Sequence, residues 1–237
     1  MLYYPKIPGS RNAPLGRCVA FEKYDGTNLH WDWDREFGWH SFGTRRDEFM
    51  LADNGMELFK LAHAHLHECV PVFVSTLATG LDSVFKENSH YQSFNSVRAF
   101  TEFIGPNSFA GLHKTGERKR LVLFDVLVEP FGMIGPEQFV ADFGHLPSAR
   151  VVYRGKLTGK FSEDVRQGKY DVNEGVVCKG GVGGSDLWMA KIKTNAYWKG
   201  SKQPLRKTGK TTGNEIGENS AMAFDIRQVD LGDVARS

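Results

Sequence analysis

The chain has 237 residues, 30 Lys+Arg against 28 Asp+Glu, for a formal net charge of +2. Hydrophobic residues make up 41% and charged residues 24%, the balance of a globular protein, which argues against a disordered, fibrous or membrane-embedded chain. At roughly 150 residues per domain the length suits one large domain, or one domain with a short appendage.

Cys18, Cys69 and Cys178 are too few and too scattered for a disulfide framework, so a reducing compartment is expected. Met1-Leu2-Tyr3-Tyr4-Pro5 lacks the apolar core of a signal peptide, and no uninterrupted apolar run approaches a membrane span. The near-neutral charge neither demands nor excludes a nucleic-acid partner; the distribution of charge must decide.

Residues 1–17, with three prolines and two glycines, read as a lead-in. Cys18-Val19-Ala20-Phe21 is a short β-prone run that leads into the turn Tyr24-Asp25-Gly26-Thr27. From Asn28 to Phe42 apolar and polar residues alternate around Gly38, which predicts a hairpin. Between Gly55 and Phe85 the apolar spacing is helical, with Pro71 expected to divide it into two helices. Strands are predicted at Ala99–Gly105 and Leu121–Val128, the second nearly all apolar and therefore covered on both faces. A short helix is expected from Pro136 to Phe143, a β-run at Val151–Tyr153, and a helical turn from Phe161 to Gln167 capped by Ser162. Glu174–Lys179 and Trp188–Lys193 alternate and form a second hairpin, with a mobile connection at Gly180–Gly184. Beyond Trp198 come Lys199, Lys202, Arg206, Lys207 and Lys210 with hardly an apolar residue. The outline is α+β, with antiparallel sheets and flanking helices.

Four local patterns carry chemistry. Lys23, between a strand and a glycine turn, can present its amine at the floor of a cleft. To act as a nucleophile at pH 7 it must shed a proton, at a cost of about 4–5 kcal/mol from its ordinary pKa. Lys191 and Lys193 are cations able to lower that cost. Glu102 is an acid flanked by apolar residues in a strand. Glu174 and Lys179 are five apart, so a straight strand would project them to opposite faces, and one cleft could use both only with a bend. Lys191 and Lys193 share a strand face and repel each other, which suits a phosphate. A nucleophilic lysine, two carboxylates for a ribose and a divalent metal, and paired lysines for phosphates form a kit for nucleotidyl transfer.

These segments, in this order, resemble the covalent nucleotidyltransferase superfamily of ATP-dependent ligases and mRNA capping enzymes. Motif I resembles Lys23-Tyr24-Asp25-Gly26-Thr27-Asn28, motif III Phe100–Gly105, motif IIIa Leu123-Phe124-Asp125-Val126, motif IV Glu174–Lys179, and motif V Met189–Lys193. Ligases for DNA and capping enzymes usually carry arginine where this chain has Asn28. Gly26-Thr27-Asn28, with Glu22 before the lysine and Gly43-Thr44-Arg45-Arg46 after it, is similar to the RNA ligase 2 group.

The resemblance implies an adenylyltransferase (ATP-grasp-like nucleotidyltransferase) domain over 1–198. Ligases of this superfamily usually carry a further C-terminal domain, an OB-fold or a helical module; this chain departs from that pattern, and 199–237 is expected to be a short basic tail with no full C-terminal OB domain. It implies an enzyme that seals 3′-OH and 5′-phosphate RNA ends through lysyl-AMP, acting as a cytoplasmic or phage-encoded monomer. ATP would be the AMP donor and Mg²⁺ or Mn²⁺ the metal. The partner would be nicked or broken RNA, with a DNA-containing duplex as the alternative and no membrane. Lys23 would take the AMP, Glu22 would lie by the adenine, and Phe124 would stack on it. Glu102 would hold the ribose. Asn28 would act through the metal's water shell, Glu174 would organise the metal, and Arg45, ahead of Arg46, would reach the phosphate side. Lys191 and Lys193 would engage the ATP phosphates, while Lys199, Lys202, Arg206 and Lys207 form a secondary RNA-contacting set.

Other features are read as structural. On a helix His63 and His67 would share a face and His65 would point away; without further ligands these are ordinary helix histidines rather than a zinc site. Trp31, Trp33 and Trp39 are expected to pack in the core. The Gly180–Gly184 loop is no P-loop, because no Gly-Lys-Ser/Thr follows it.

Overall fold

A computed structural model describes residues 4–106, 108 and 116–201. Ten strands and six α-helices follow in order: β1 (Arg17–Lys23), β2 (Thr27–Asp34), β3 (Gly38–Gly43), β4 (Glu48–Met50), α1 (Asp53–Ala62), α2 (Cys69–Phe73), α3 (Thr79–Glu87), β5 (Ser96–Ile104), β6 (Arg120–Val128), β7 (Gly132–Met133), α4 (Pro136–Phe143), β8 (Val151–Lys156), α5 (Gly159–Arg166), β9 (Gly175–Gly180), β10 (Trp188–Lys193) and α6 (Asn195–Ser201). They build a four-stranded sheet ordered β10-β9-β1-β8 and a six-stranded sheet ordered β4-β3-β2-β5-β6-β7. Every named strand pairing is antiparallel. The α+β expectation holds.

The period-two pattern of β2 explains the larger sheet. Leu29, Trp31 and Trp33 point to one face and are fully buried, where helices cover them. Trp31 stacks on Phe73 at 3.8 Å between ring centroids. The polar edges of the indoles are satisfied: Trp33 Nε1 donates to Asp82 at 2.8 Å and Trp39 Nε1 to the Ala78 carbonyl at 3.1 Å. Trp31 and Trp33 are core and Trp39 packs against it, as expected.

Pro71 does not divide the helical region. The break lies at His63–Glu68, and Pro71 falls in the first turn of α2, where a missing N–H leaves no intrahelical bond unmade. From Cys69 the chain stays helical through a π-helical stretch, Val74–Ala78, into α3. This 19-residue helix has a mean hydropathy of 1.2, long and apolar enough by length and composition to cross a membrane. Its stripe of Val70, Phe73, Leu77, Leu81 and Phe85 belongs to the main core, which accounts for that hydropathy as a core helix. One consequence is that His63, His65 and His67 occupy a turn, so the expected shared helical face does not form.

The smaller sheet packs Cys18, Ala20, Val176, Cys178, Ala190 and Ile192 against Phe161 and Val165 of α5. That helix starts earlier than expected. Thr158 is its cap, accepting the Phe161 N–H at 3.1 Å, while Ser162 is buried inside it. Helix α4 begins at Pro136 as expected. The connection from β9 to β10 is anchored: Gly183 bridges Ile134, and the Val182 N–H donates to Asp186 Oδ2 at 2.8 Å. The lead-in lies along β10, where the Lys191 N–H donates to the Pro8 carbonyl at 2.9 Å. Helix α6 runs across residues 198 and 199. Lys202, Arg206, Lys207 and Lys210 lie outside the described residues.

Phe73→Ala removes the ring stacked on Trp31 and leaves a cavity beneath the larger sheet. The expected cost is about 3–5 kcal/mol, read as a lower urea midpoint at unchanged slope.

Candidate active site

Lys23 ends β1 at the mouth of a cavity of about 230 Å³, lined also by Phe124, Lys179, Lys191 and Lys193. Strand register places it. Lys23 pairs with Gly175 on β9, and Gly175 pairs with Lys193 on β10, so the three share one rung. Gly175 has a φ of +147°, and a Cβ there would sit 2.0 Å from the Ile192 carbonyl oxygen. Only glycine fits. This residue supplies the bend that the five-residue spacing of Glu174 and Lys179 requires. Glu174 stands just before the strand and turns back to the lysines, while Lys179 points under the cavity floor.

Glu174 is 2% exposed and spans two cations. Its Oε2 accepts from Lys23 Nζ at 2.8 Å, and its Oε1 lies 2.7 Å from Lys193 Nζ. Lys191, on the same face, is held below the ordinary lysine pKa by burial, then by Lys193, Lys23 and Lys6. The result is a concentration of positive charge with one buried carboxylate at its centre.

Glu102 reaches the site from β5, opposite Asn28 of β2. Its Oε1 accepts the Gly26 N–H at 3.0 Å. Gly26 passes so close to β5 that a Cβ would lie 2.2 Å from the Phe103 carbonyl oxygen. Burial pushes the Glu102 carboxyl up to about 7, against the pull of Lys23, the Gly26 N–H and Arg45. Phe124 lines the cavity and meets Tyr4 edge-on at 5.0 Å. Glu22 lies on the rim, paired with Arg150 at 2.9 Å.

A second cavity, of about 620 Å³, also has Lys23 in its lining. Lys23, Asn28, Arg45 and Glu102 line both, whereas Arg46 lines only the second. The loop that carries the arginines is tied down. The Thr44 N–H donates to the Asp47 carbonyl at 3.0 Å, the Thr44 hydroxyl to the Asp47 carboxylate, and Asp47 Oδ2 meets His63 Nε2 at 2.8 Å.

The structure thus gathers Lys23, Glu22, Asn28, Arg45, Glu102, Phe124, Lys191 and Lys193 around one cavity, with Glu174 bonded to two of them. Lys199 lies apart on α6. Sequence reasoning gave no role to Lys179, Asp125 or Tyr4. Lys179 Nζ lies 2.7 Å from Asp125 Oδ1 and donates to the Phe124 carbonyl at 2.6 Å, and the Tyr4 hydroxyl donates to Asp125 Oδ2 at 2.5 Å. An aspartate in an otherwise apolar run was the available signal. Tyr4 had none, because its place depends on the lead-in folding back.

Among the described residues, one cluster has three metal-type ligand atoms close together: His30, Asp32 and Glu48. Arg98 already pairs with both carboxylates there, at 2.5 Å from Asp32 and 3.2 Å from Glu48. The histidines at 63, 65 and 67 make no such group. Around Lys23 both Glu174 oxygens are engaged, so a divalent ion would be held through water and phosphate, a mode that suits Mg²⁺ or Mn²⁺.

No protein-family profile matches the chain, and no curated protein matches it by sequence. Solved structures do match. Naegleria gruberi RNA ligase with pyrophosphate superposes with a TM-score of 0.54 at 14% identity, over 85% of this chain and 58% of that one. A mutant of the same ligase holding ATP and Mn gives 0.53 at 14%, over 84% and 58%. An archaeal ATP-dependent RNA ligase gives 0.53 at 13%, over 83% and 49%. The chain therefore has the nucleotidyltransferase-type fold seen in ATP-dependent RNA ligases, and it spans about half the length of those proteins.

The raised Glu102 carboxyl has a stability consequence. The folded state binds this proton more tightly than the unfolded chain, so folding stability falls as pH rises from the ordinary glutamate range through about 7. Glu102→Gln removes that loss. Thermal melts from pH 4.5 to 7.5 should show the variant gaining on the wild type as pH rises.

Proposed function

We propose that this chain is an ATP-dependent RNA ligase that joins 3′-OH and 5′-phosphate ends through a covalent lysyl-AMP. The observation that supports it most is the buried Glu174 carboxylate bridging Lys23 and Lys193 at the mouth of an aromatic-floored cavity, on a fold shared with RNA ligases.

On this reading ATP enters with its base beside Phe124 and Glu22, and Glu102 accepts hydrogen bonds from the ribose. Lys191 and Lys193 neutralise the phosphates. Glu174 Oε2 is the acceptor already in place for the proton that Lys23 Nζ must lose. Nζ then attacks the α-phosphorus, a P–N bond forms, the bond to the β-phosphate oxygen breaks, and pyrophosphate leaves. In the second step a 5′-phosphate oxygen of the RNA attacks the same phosphorus, breaking the P–N bond and returning the electron pair to Nζ. In the third, a 3′-hydroxyl attacks the activated 5′-phosphorus, loses its proton, and displaces AMP. All three are displacements at phosphorus, in which positioning and charge neutralisation supply most of the catalysis. Asn28 and Glu174 would steady a divalent ion's water shell, and the ion would add further neutralisation at the phosphates.

Incubation with α-labelled ATP and Mg²⁺ should label the wild type in an acid-labile bond, and Lys23→Ala should take no label. A chase with RNA that carries a 5′-phosphate and a 3′-OH, as broken strands or at a nick, should discharge the label into a sealed strand, and a chase with the DNA counterpart should leave it largely on the protein. Preferential sealing of DNA would replace RNA ligase with DNA ligase. A label that never discharges would mark a nucleotide-binding relic, and failure of any nucleotide to label the protein would reject nucleotidyl transfer. Glu174→Ala, which leaves Lys23 and Lys193 unpaired, should slow adenylylation by at least about 100-fold.

A further inference from the structure

A third opening, of about 1030 Å³, lies between the lead-in and β10. Lys6 and Arg11 stand on one bank, Arg166 at the end of α5, and Lys191 and Lys193 on the other bank. No Asp or Glu lines it among the described residues. Glu163, which pairs with Arg166 at 3.6 Å, is not part of the lining. Trp198 projects from α6 at the groove with about half its surface exposed, 51%. Its ring sits 5.9 Å from Lys193 Nζ. Half of this indole faces solvent beside a row of cations, in contrast to Trp31 and Trp33, which the core encloses.

The groove is continuous with the nucleotide cavity, because Lys6, Ile7, Lys191 and Lys193 line both. We infer that it is a binding track for single-stranded RNA, which feeds an unpaired end toward Lys23 with backbone phosphates along Lys6, Arg11 and Arg166 and a base stacked on Trp198. The inference builds on the ligase reading and adds to it the strand's path and the state of the end. Charge complementarity selects a polyanion, and the exposed indole selects one whose bases are free to stack. A paired duplex keeps its bases from the ring.

The test is fluorescence anisotropy with a labelled, 5′-phosphorylated 12-nucleotide RNA, alone and annealed to its complement, at several salt concentrations. Adenylylation by α-labelled ATP is measured on the same preparations. Trp198→Ala should weaken single-strand binding about 10-fold. Arg11→Glu, on the opposite bank, should lower the slope of log affinity against log salt by at least about 0.7. Both variants should adenylylate like the wild type, and the duplex should bind more weakly than the single strand and be indifferent to Trp198→Ala. If Trp198→Ala loses adenylylation through damage to α6, Arg11→Glu decides alone. Wild-type affinity and salt slope in the well-folded variants would overturn the proposal, as would a duplex that binds as well as the single strand. If the wild type takes no label yet Trp198→Ala still loses RNA, the ligase reading fails and the groove stands.

Discussion

In the wall of the cavity at Lys23, Lys179 of the smaller sheet meets Asp125 of the larger one, with their side chains 4% and 1% exposed. Burying two charges costs several kcal/mol per ion unless each is paired and hydrogen-bonded, and this pair meets the condition. Asp125 gives one oxygen to Lys179 and the other to the Tyr4 hydroxyl. Lys179 adds a bond to the Phe124 carbonyl and stands 5.1–5.9 Å from the rings of Phe21, Phe139 and Phe124. Burial draws its ammonium below the usual lysine range, and Asp125 opposes the fall. One ion pair thereby ties together both sheets, the lead-in and the backbone of the residue that floors the cavity. Removing either partner would leave a buried charge alone, so the geometry of the site and the joint between the sheets stand or fall together.

The charges above that pair follow a different logic. Lys23, Lys191 and Lys193 crowd one wall, and Glu174 alone is buried among them with both oxygens used. Three cations facing one carboxylate leave a surplus that an incoming polyphosphate would neutralise. Glu102, on the facing sheet, is held partly protonated near neutrality.

Much of this was legible in the sequence, because strand period and motif order are local signals. The alternation through Leu29, Trp31 and Trp33 gave the buried face of β2, and the ordered motifs gave the ring of residues around Lys23. What escaped depended on contacts between distant segments. Pro71 reads as a breaker until the helix start is fixed at Cys69, after which it occupies a harmless first-turn position. The three histidines read as helical because the turn that holds them is set by the Asp47–His63 contact, a pairing outside any local window. Ser162 and Thr158 are both competent caps, and burial of the former decided for the latter. Tyr4 could be placed only once the lead-in was seen to run along β10.

That Lys23, Asn28, Arg45 and Glu102 face two cavities at once bears on why a covalent intermediate would be useful here. A lysine reached from one side only would have to release its first substrate's remainder and admit a second through the same opening. With residues shared by two cavities, the proposed nucleotide could stay in the cavity that Phe124 lines while an acceptor end approached past Arg45 and Arg46. A covalent bond to Lys23 would then hold the adenylate in place between the two events, because Lys23 itself lines both cavities. Arg45 lines both cavities and Arg46 the second. The loop that carries them is anchored through Thr44, Asp47 and His63, and on the proposed reading that anchoring would keep both arginines positioned while an adenylate waits for its second substrate.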